Sequence, residues 1–160
     1  MRQTPFLQIY LDTSVLGGYY DPEFLEDTRS FFRLIREGRI RAAISDMVVG
    51  EIARAPKPVR DLLDELIDLG SEMLPLSQDA ADLQEAYLKG GVLGWQRADD
   101  AMHVALASIR RVDAIASWNF KHLVDPRRAR EFNGINVAKG YGLIEIRSPG
   151  DIVHILEARK

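Results

Sequence analysis

Phe6-Leu7-Gln8-Ile9-Tyr10-Leu11-Asp12-Thr13-Ser14 is the stretch whose reading decides the fold. An apolar, β-prone run ends abruptly in a carboxylate and two hydroxyls, the pattern of a buried strand with a charge at its exit. In an open α/β sheet, ligands collect beyond the carboxyl ends of the strands, which places Asp12 where a site would form. Asp is also among the best helix N-caps, so capping a segment that begins at Thr13 explains Asp12 as well. Which use applies depends on whether the chain brings other carboxylates to it.

Outward from that strand, residues 21–37 carry Phe24, Leu25, Phe31, Phe32, Leu34 and Ile35 at helical spacing, opened by Asp21-Pro22 and closed by Gly38. Residues 38–45 form a second strand, and Asp46 is placed to cap a short helix over 47–53. Pro56 and Pro58 interrupt that helix before 59–69 resumes the helical period. Residues 72–76 give a third strand, with Pro75 marking an edge or an end. Helix 77–89 ends at Gly90-Gly91, and 92–98 reads as a loop. Residues 99–109 form a small-residue helix, apolar almost all round and therefore central, with two acids in its first turn. Residues 112–117 supply a fourth strand, and 126–132 reads as a helical turn. Gly134, Gly140 and Gly142 mark loops before a last strand at 143–146, and Ser148-Pro149 opens a closing helix. Strands alternating with helices imply a three-layer α/β/α sandwich on a mainly parallel sheet of about five strands, spanning 1–160 as a single domain.

The totals agree. A chain of 160 residues with 46% hydrophobic and 28% charged residues has the length and composition of a folded domain. It has no cysteine, which excludes disulfides and thiolate metal sites. The opening Met1-Arg2-Gln3-Thr4-Pro5 and the short run after it fall far below a secretory core or a membrane span, so the expected location is the cytoplasm. A net charge of -3 gives no general attraction to nucleic acid. A polyanionic partner therefore needs a local basic patch or bound cations.

Polar groups stand at a strand exit or helix start in four places: Asp12, Glu51, Asp99-Asp100 and 117–119. Glu51 is a lone acid in the otherwise apolar Met47-Val48-Val49-Gly50-Glu51-Ile52-Ala53, although a solvated helix face explains it too. Asp99 and Asp100 precede His103 by four and three positions, so either can face the imidazole. Capping accounts for one of that pair and not readily for both. A structural or substrate-positioning role suits His103 better than metal ligation. Carboxylates without Cys or a His-rich set suit hard cations, Mg2+ or Mn2+. In phosphodiester hydrolysis two such ions, about 3.5–4 Å apart, activate water and stabilise the leaving oxygen.

These residues resemble the PIN-domain nucleases, and among them the VapC-like toxins of toxin-antitoxin systems. Ile9-Tyr10-Leu11-Asp12-Thr13-Ser14 is similar to the opening motif, which implies Asp12 as a metal ligand supported by Thr13 or Ser14. The run 44–52 resembles the second motif, with its acid at Glu51, and 100–107 the third, with Asp100 leading and Asp99 beside it. Ser117-Trp118-Asn119 resembles the fourth, at Asn119. Where many relatives carry a further acid, this chain has Phe120-Lys121-His122, which implies one defined metal rather than two, with His122 flanking the site. The resemblance implies an RNA substrate, a small antitoxin partner and a homodimer.

Arg97, Lys121 and the run Arg127-Arg128-Arg130 are candidates for phosphate contact, although charge runs are usually solvated faces. Trp95 and Trp118 can stack on unpaired bases, with anchoring of the loop the commoner use of Trp118. Two other readings compete with a nuclease: a phosphotransfer domain with Asp12 as nucleophile, against which Ser14 stands two positions on where that chemistry wants a second acid, and a PIN-fold domain that binds RNA or protein with little or no turnover.

Overall fold

The computed structural model describes residues 6–158, so the reading of the first five residues lies outside it. The opening stretch forms β1 (Leu7–Leu11), flanked by β2 (Ile40–Ser45) and β4 (Ala114–Ala116), with β3 (Glu72–Leu74) and β5 (Ile146–Arg147) at the edges. Every pairing is parallel, in the order β3-β2-β1-β4-β5. The strand order therefore reverses direction between β1 and β4, and a crevice opens beyond their carboxyl ends.

Alternation along the strands divides the core into two faces. Ile9, Leu11, Ala42 and Ile44 point to one side, against α1 (Thr13–Gly18), α2 (Leu25–Arg36), α3 (Asp46–Ile52), α4 (Lys57–Asp68) and α8 (Pro149–Glu157). Tyr10, Ala43 and Ile115 point to the other, against α5 (Gln78–Lys89), α6 (Ala98–Arg110) and α7 (Pro126–Ala138). Helix α6 is buried from Ala101 to Ser108 because its alanines let it lie close to both the sheet and α5. The result is an α/β/α sandwich of five parallel strands and, among the described residues, eight α-helices, none of them long and apolar enough to cross a membrane.

Several boundaries differ from the sequence reading for local reasons. Asp21-Pro22 does not open α2: Asp21 closes a turn whose carbonyl accepts the Phe24 and Leu25 amides, and the helix starts at Leu25. Asp46 does not cap α3 but is its first residue. The preceding Ser45 makes no capping bond because its hydroxyl is engaged with Tyr10 at 2.7 Å. Pro58 sits inside the first turn of α4, where a missing N–H costs nothing, so Pro56 alone interrupts the chain. Neither Asp99 nor Asp100 caps α6, whose cap position is Arg97.

The largest correction is α7, a helix of 13 residues that passes through Gly134 instead of ending near Phe132. Its periodicity is hidden because the inward position after Phe132 is taken by buried Asn136, bonded to Tyr87 and to Ser108. Asn133 clamps the backbone of Ile144 from both sides, so 143–144 runs outside the ladder, which begins with the Glu145 carbonyl accepting the Ile115 amide, and β5 is confined to Ile146–Arg147.

The helix α1, the segment beginning at Thr13 that Asp12 was placed to cap, turns the chain directly after Asp12. Its last residue, Gly18, touches the Trp118 ring: a Cβ there would stand 2.7 Å from two ring atoms and 2.9 Å from the Thr28 hydroxyl. Trp118 is held by a bond from Nε1 to Thr28 Oγ1 and by stacking on Phe24, so it has little room to yield. Gly18→Ala is therefore expected to destabilise the protein by about 1–3 kcal/mol despite the gain in helix propensity. Urea denaturation checks this, and an unchanged midpoint would contradict the packing described.

Candidate metal centre

Asp12 lies at the exit of β1, 4% exposed, and its carboxylate takes three hydrogen bonds. Ser14 donates to Oδ1 through its amide (3.1 Å) and its hydroxyl (2.5 Å), and Ser117 Oγ, at the exit of β4, donates to Oδ2 at 2.5 Å. The amide bond makes Asp12 the N-cap of α1, so the capping use foreseen for it is realised. Each serine is held in turn. Ser14 Oγ accepts the Trp118 amide at 2.9 Å, and Ser117 Oγ accepts the Asn119 amide at 2.9 Å. The carboxylate is thereby stitched across the β1–β4 crevice.

Helix α6 brings Asp100 to the same place. Asn119 Nδ2 approaches Asp100 Oδ2 at a long 3.5 Å, while Asn119 Oδ1 accepts the His122 amide at 2.9 Å. Asn119 thus turns its N–H side to the acid and spends its oxygen on its own loop. Glu51 reaches in from α3, its Oε1 3.0 Å from His103 Nε2. Its side chain is 37% exposed, against 3% for His103. His103 Nδ1 lies 2.6 Å from the Tyr10 hydroxyl, which is 2.7 Å from Ser45 Oγ.

The electrostatics follow from this crowding. Burial, and secondarily the neighbouring Asp100 charge, hold the Asp12 carboxyl above its ordinary value despite the serine bonds. Burial also raises Asp100, against the pull of His103, His122 and Arg97. The His103 bond keeps Glu51 low. On His103 the burial penalty is outweighed by Glu51, Asp12 and Asp100, and the imidazole is raised. Burial and the nearby Arg97 lower His122.

Two adjoining carboxyls that hold their protons unusually tightly form a site short of positive charge. Oxygen donors of this kind fit a hard divalent cation, which characteristically takes one or two protein carboxylates and fills its other positions with water and substrate oxygen. Among the described residues no three His, Asp or Glu side chains converge as a complete ligand shell, and Glu51 is committed to His103. The donors that fit are thus Asp12 and Asp100.

The remaining expectations divide. Arg97 is exposed but close enough to act on Asp100 and His122, and exposed Lys121 acts on His122. Asp99 is exposed, whereas Asp12 is buried and Asp100 half-buried. Thr13 Oγ1 is buried without a hydrogen-bond partner, yet near enough to favour ionised Glu51. Trp118 takes the commoner of its two expected uses: stacked on Phe24 with centroids 4.4 Å apart and bonded to Thr28, it anchors the loop. The neighbouring Phe120 is the exposed aromatic. In the basic run, Arg128 bonds the Val92 carbonyl and Asp125 caps α7, so both are structural. The sequence assigned no role to Tyr10 and Ser45, and Ser117 entered only as the first residue of the run 117–119. The available signal was a polar tip on the inward face of β1 and serines ending β2 and β4.

Comparison with known structures places the architecture. The chain is similar to FitAcB from Neisseria gonorrhoeae, at 16% identity and a TM-score of 0.54, over 88% of this chain and 97% of that one. It is similar to VapBC2 from Rickettsia felis, solved bound to a DNA fragment from their promoter, at 16% identity and a TM-score of 0.52, over 88% and 98%. The fold is PIN-like. No family model matches the chain, and no curated protein matches its sequence.

The raised Asp12 carboxyl sets a pH dependence. Its folded form binds a proton more tightly than the unfolded chain, so stability falls as pH rises from the ordinary carboxyl value through the folded one. At pH 7 in chelator, Asp12→Asn is expected to melt above the wild type, and the gap should close as pH falls toward the ordinary carboxyl range. A variant that melts lower at pH 7 would contradict this.

Proposed function

We propose that the protein is a metal-dependent endoribonuclease that hydrolyses RNA phosphodiester bonds, acting as the toxin of a toxin-antitoxin pair. The observation that carries this reading is the meeting of Asp12 and Asp100 at the β1–β4 crevice, where Ser117 bonds both Asp12 and the amide of Asn119, whose side chain approaches Asp100. Mg2+ or Mn2+ held by Asp12 and Asp100 would supply positive charge to a phosphate oxygen and make bound water acidic.

The chain's own groups complete the arrangement. Ser14 and Ser117 fix both oxygens of Asp12, so that its orientation needs no adjustment when a cation arrives. The Asn119 amide steadies Asp100. Glu51, kept ionised by its bond with His103, would accept a hydrogen bond from the attacking water and orient it. Arg97 and Lys121, exposed beside the acids, offset phosphate repulsion in a chain of net negative charge. The small antitoxin partner and the homodimer come from the family resemblance of the motifs, and the likeness in fold to FitAcB and VapBC2 supports them.

Asp100→Asn is expected to lower Mn2+- or Mg2+-dependent cleavage of RNA by at least about 100-fold while leaving the circular dichroism spectrum unchanged. A fluorescent single-stranded RNA provides the assay. Full cleavage by both this variant and Asp12→Asn would sink the nuclease reading, whereas RNA binding without cleavage by the wild type would favour a binding domain.

A further inference from the structure

We propose that Tyr10 and His103 form a buried brace that positions the Glu51 carboxylate at the site, an inference that rests on the nuclease reading. Glu51 projects from α3, a helix of 7 residues, and is the most exposed of the three acids assigned to the site. Left to itself, a glutamate with three rotatable bonds on a short helix would spend little time in one orientation. His103 removes that freedom. It sits one turn after Asp100 on α6, buried, and presents Nε2 to Glu51 Oε1 at 3.0 Å. In either protonation state of the ring Nε2–H can donate, so the bond does not depend on titration.

The imidazole is fixed from behind. Its Nδ1 meets the Tyr10 hydroxyl at 2.6 Å, and that hydroxyl meets Ser45 Oγ at 2.7 Å, with the two rings in tilted contact. Tyr10 belongs to the central strand and is fully buried, while Ser45 ends β2 immediately before α3. The chain Ser45-Tyr10-His103-Glu51 therefore connects the sheet, α6 and α3, and returns to the helix that carries Glu51. A buried polar chain in which each member is satisfied rigidifies its surroundings. It also explains why a tyrosine and a histidine occupy positions that packing alone would fill with leucine.

A double-mutant cycle on cleavage of a defined RNA tests this. His103→Leu is expected to lower kcat by about tenfold or more with little change in KM, and His103→Gln, whose side-chain amide can reach the Nε2 position, to recover part of the loss. Glu51→Gln/His103→Leu should be no slower than Glu51→Gln, because the brace acts only through Glu51. Losses that multiply would overturn the proposal. If His103→Leu does not fold, Tyr10→Phe enters the same cycle with the same criterion. A 15N-edited NMR spectrum separates this inference from the nuclease reading: wild-type His103 should show a slowly exchanging Nε2–H that becomes fast in Glu51→Ala, whether or not RNA is cut. An unaltered resonance would overturn the brace, while its presence in a protein that cleaves nothing would leave the brace standing and remove the nuclease.

Discussion

A buried carboxylate between two serines is the constraint on which the rest of this structure turns. Taking Asp12 out of water costs several kcal/mol even after relaxation. Its three bonds, at about 1.5–3 kcal/mol each, return a comparable amount, and the adjoining Asp100 subtracts from that. The balance is close, and the carboxyl remains above its ordinary value. A protein that served only its own stability would place a leucine or an asparagine here. The arrangement makes sense if a cation completes it.

The fold supplies the means. Parallel strands reverse their order between β1 and β4, so the exits of two adjacent strands place Asp12 and Ser117 opposite one another without a long loop. Helix α6 can deliver Asp100 because its alanines let it sink between sheet and α5. The loop after β4 is held down by Trp118, packed on Phe24, bonded to Thr28 and admitted by Gly18. The aromatic packing of that loop, at about 0.5–1.5 kcal/mol for a stacked pair, secures the serine and the asparagine that serve the two acids.

Much of this was legible in the sequence. The buried run ending at Asp12, the lone Glu51 and the acids opening α6 all stood out, because each breaks an apolar pattern with a charge. The sandwich followed from alternating periods of two and 3.6. What escaped notice were neutral groups whose task is visible only in three dimensions. Tyr10 and Ser45 look like ordinary strand residues, and Ser117 looks like a strand end. Asn136 conceals α7 because a satisfied buried amide replaces an apolar residue on the inward face. Trp118, open to either use in the sequence, anchors the loop, and pattern alone cannot separate the two uses since both want a large aromatic near a loop. Capping misled at Asp21 and Asp46 because a carboxylate near a helix start has several partners to choose from.

The most direct test of the central claim is the titration of the Asp12 carboxyl, followed by 13C NMR with and without Mg2+. The account predicts an elevated value in the metal-free protein and a marked fall on adding Mg2+, because a bound cation would favour the ionised carboxylate. An ordinary value that Mg2+ leaves unchanged would contradict it.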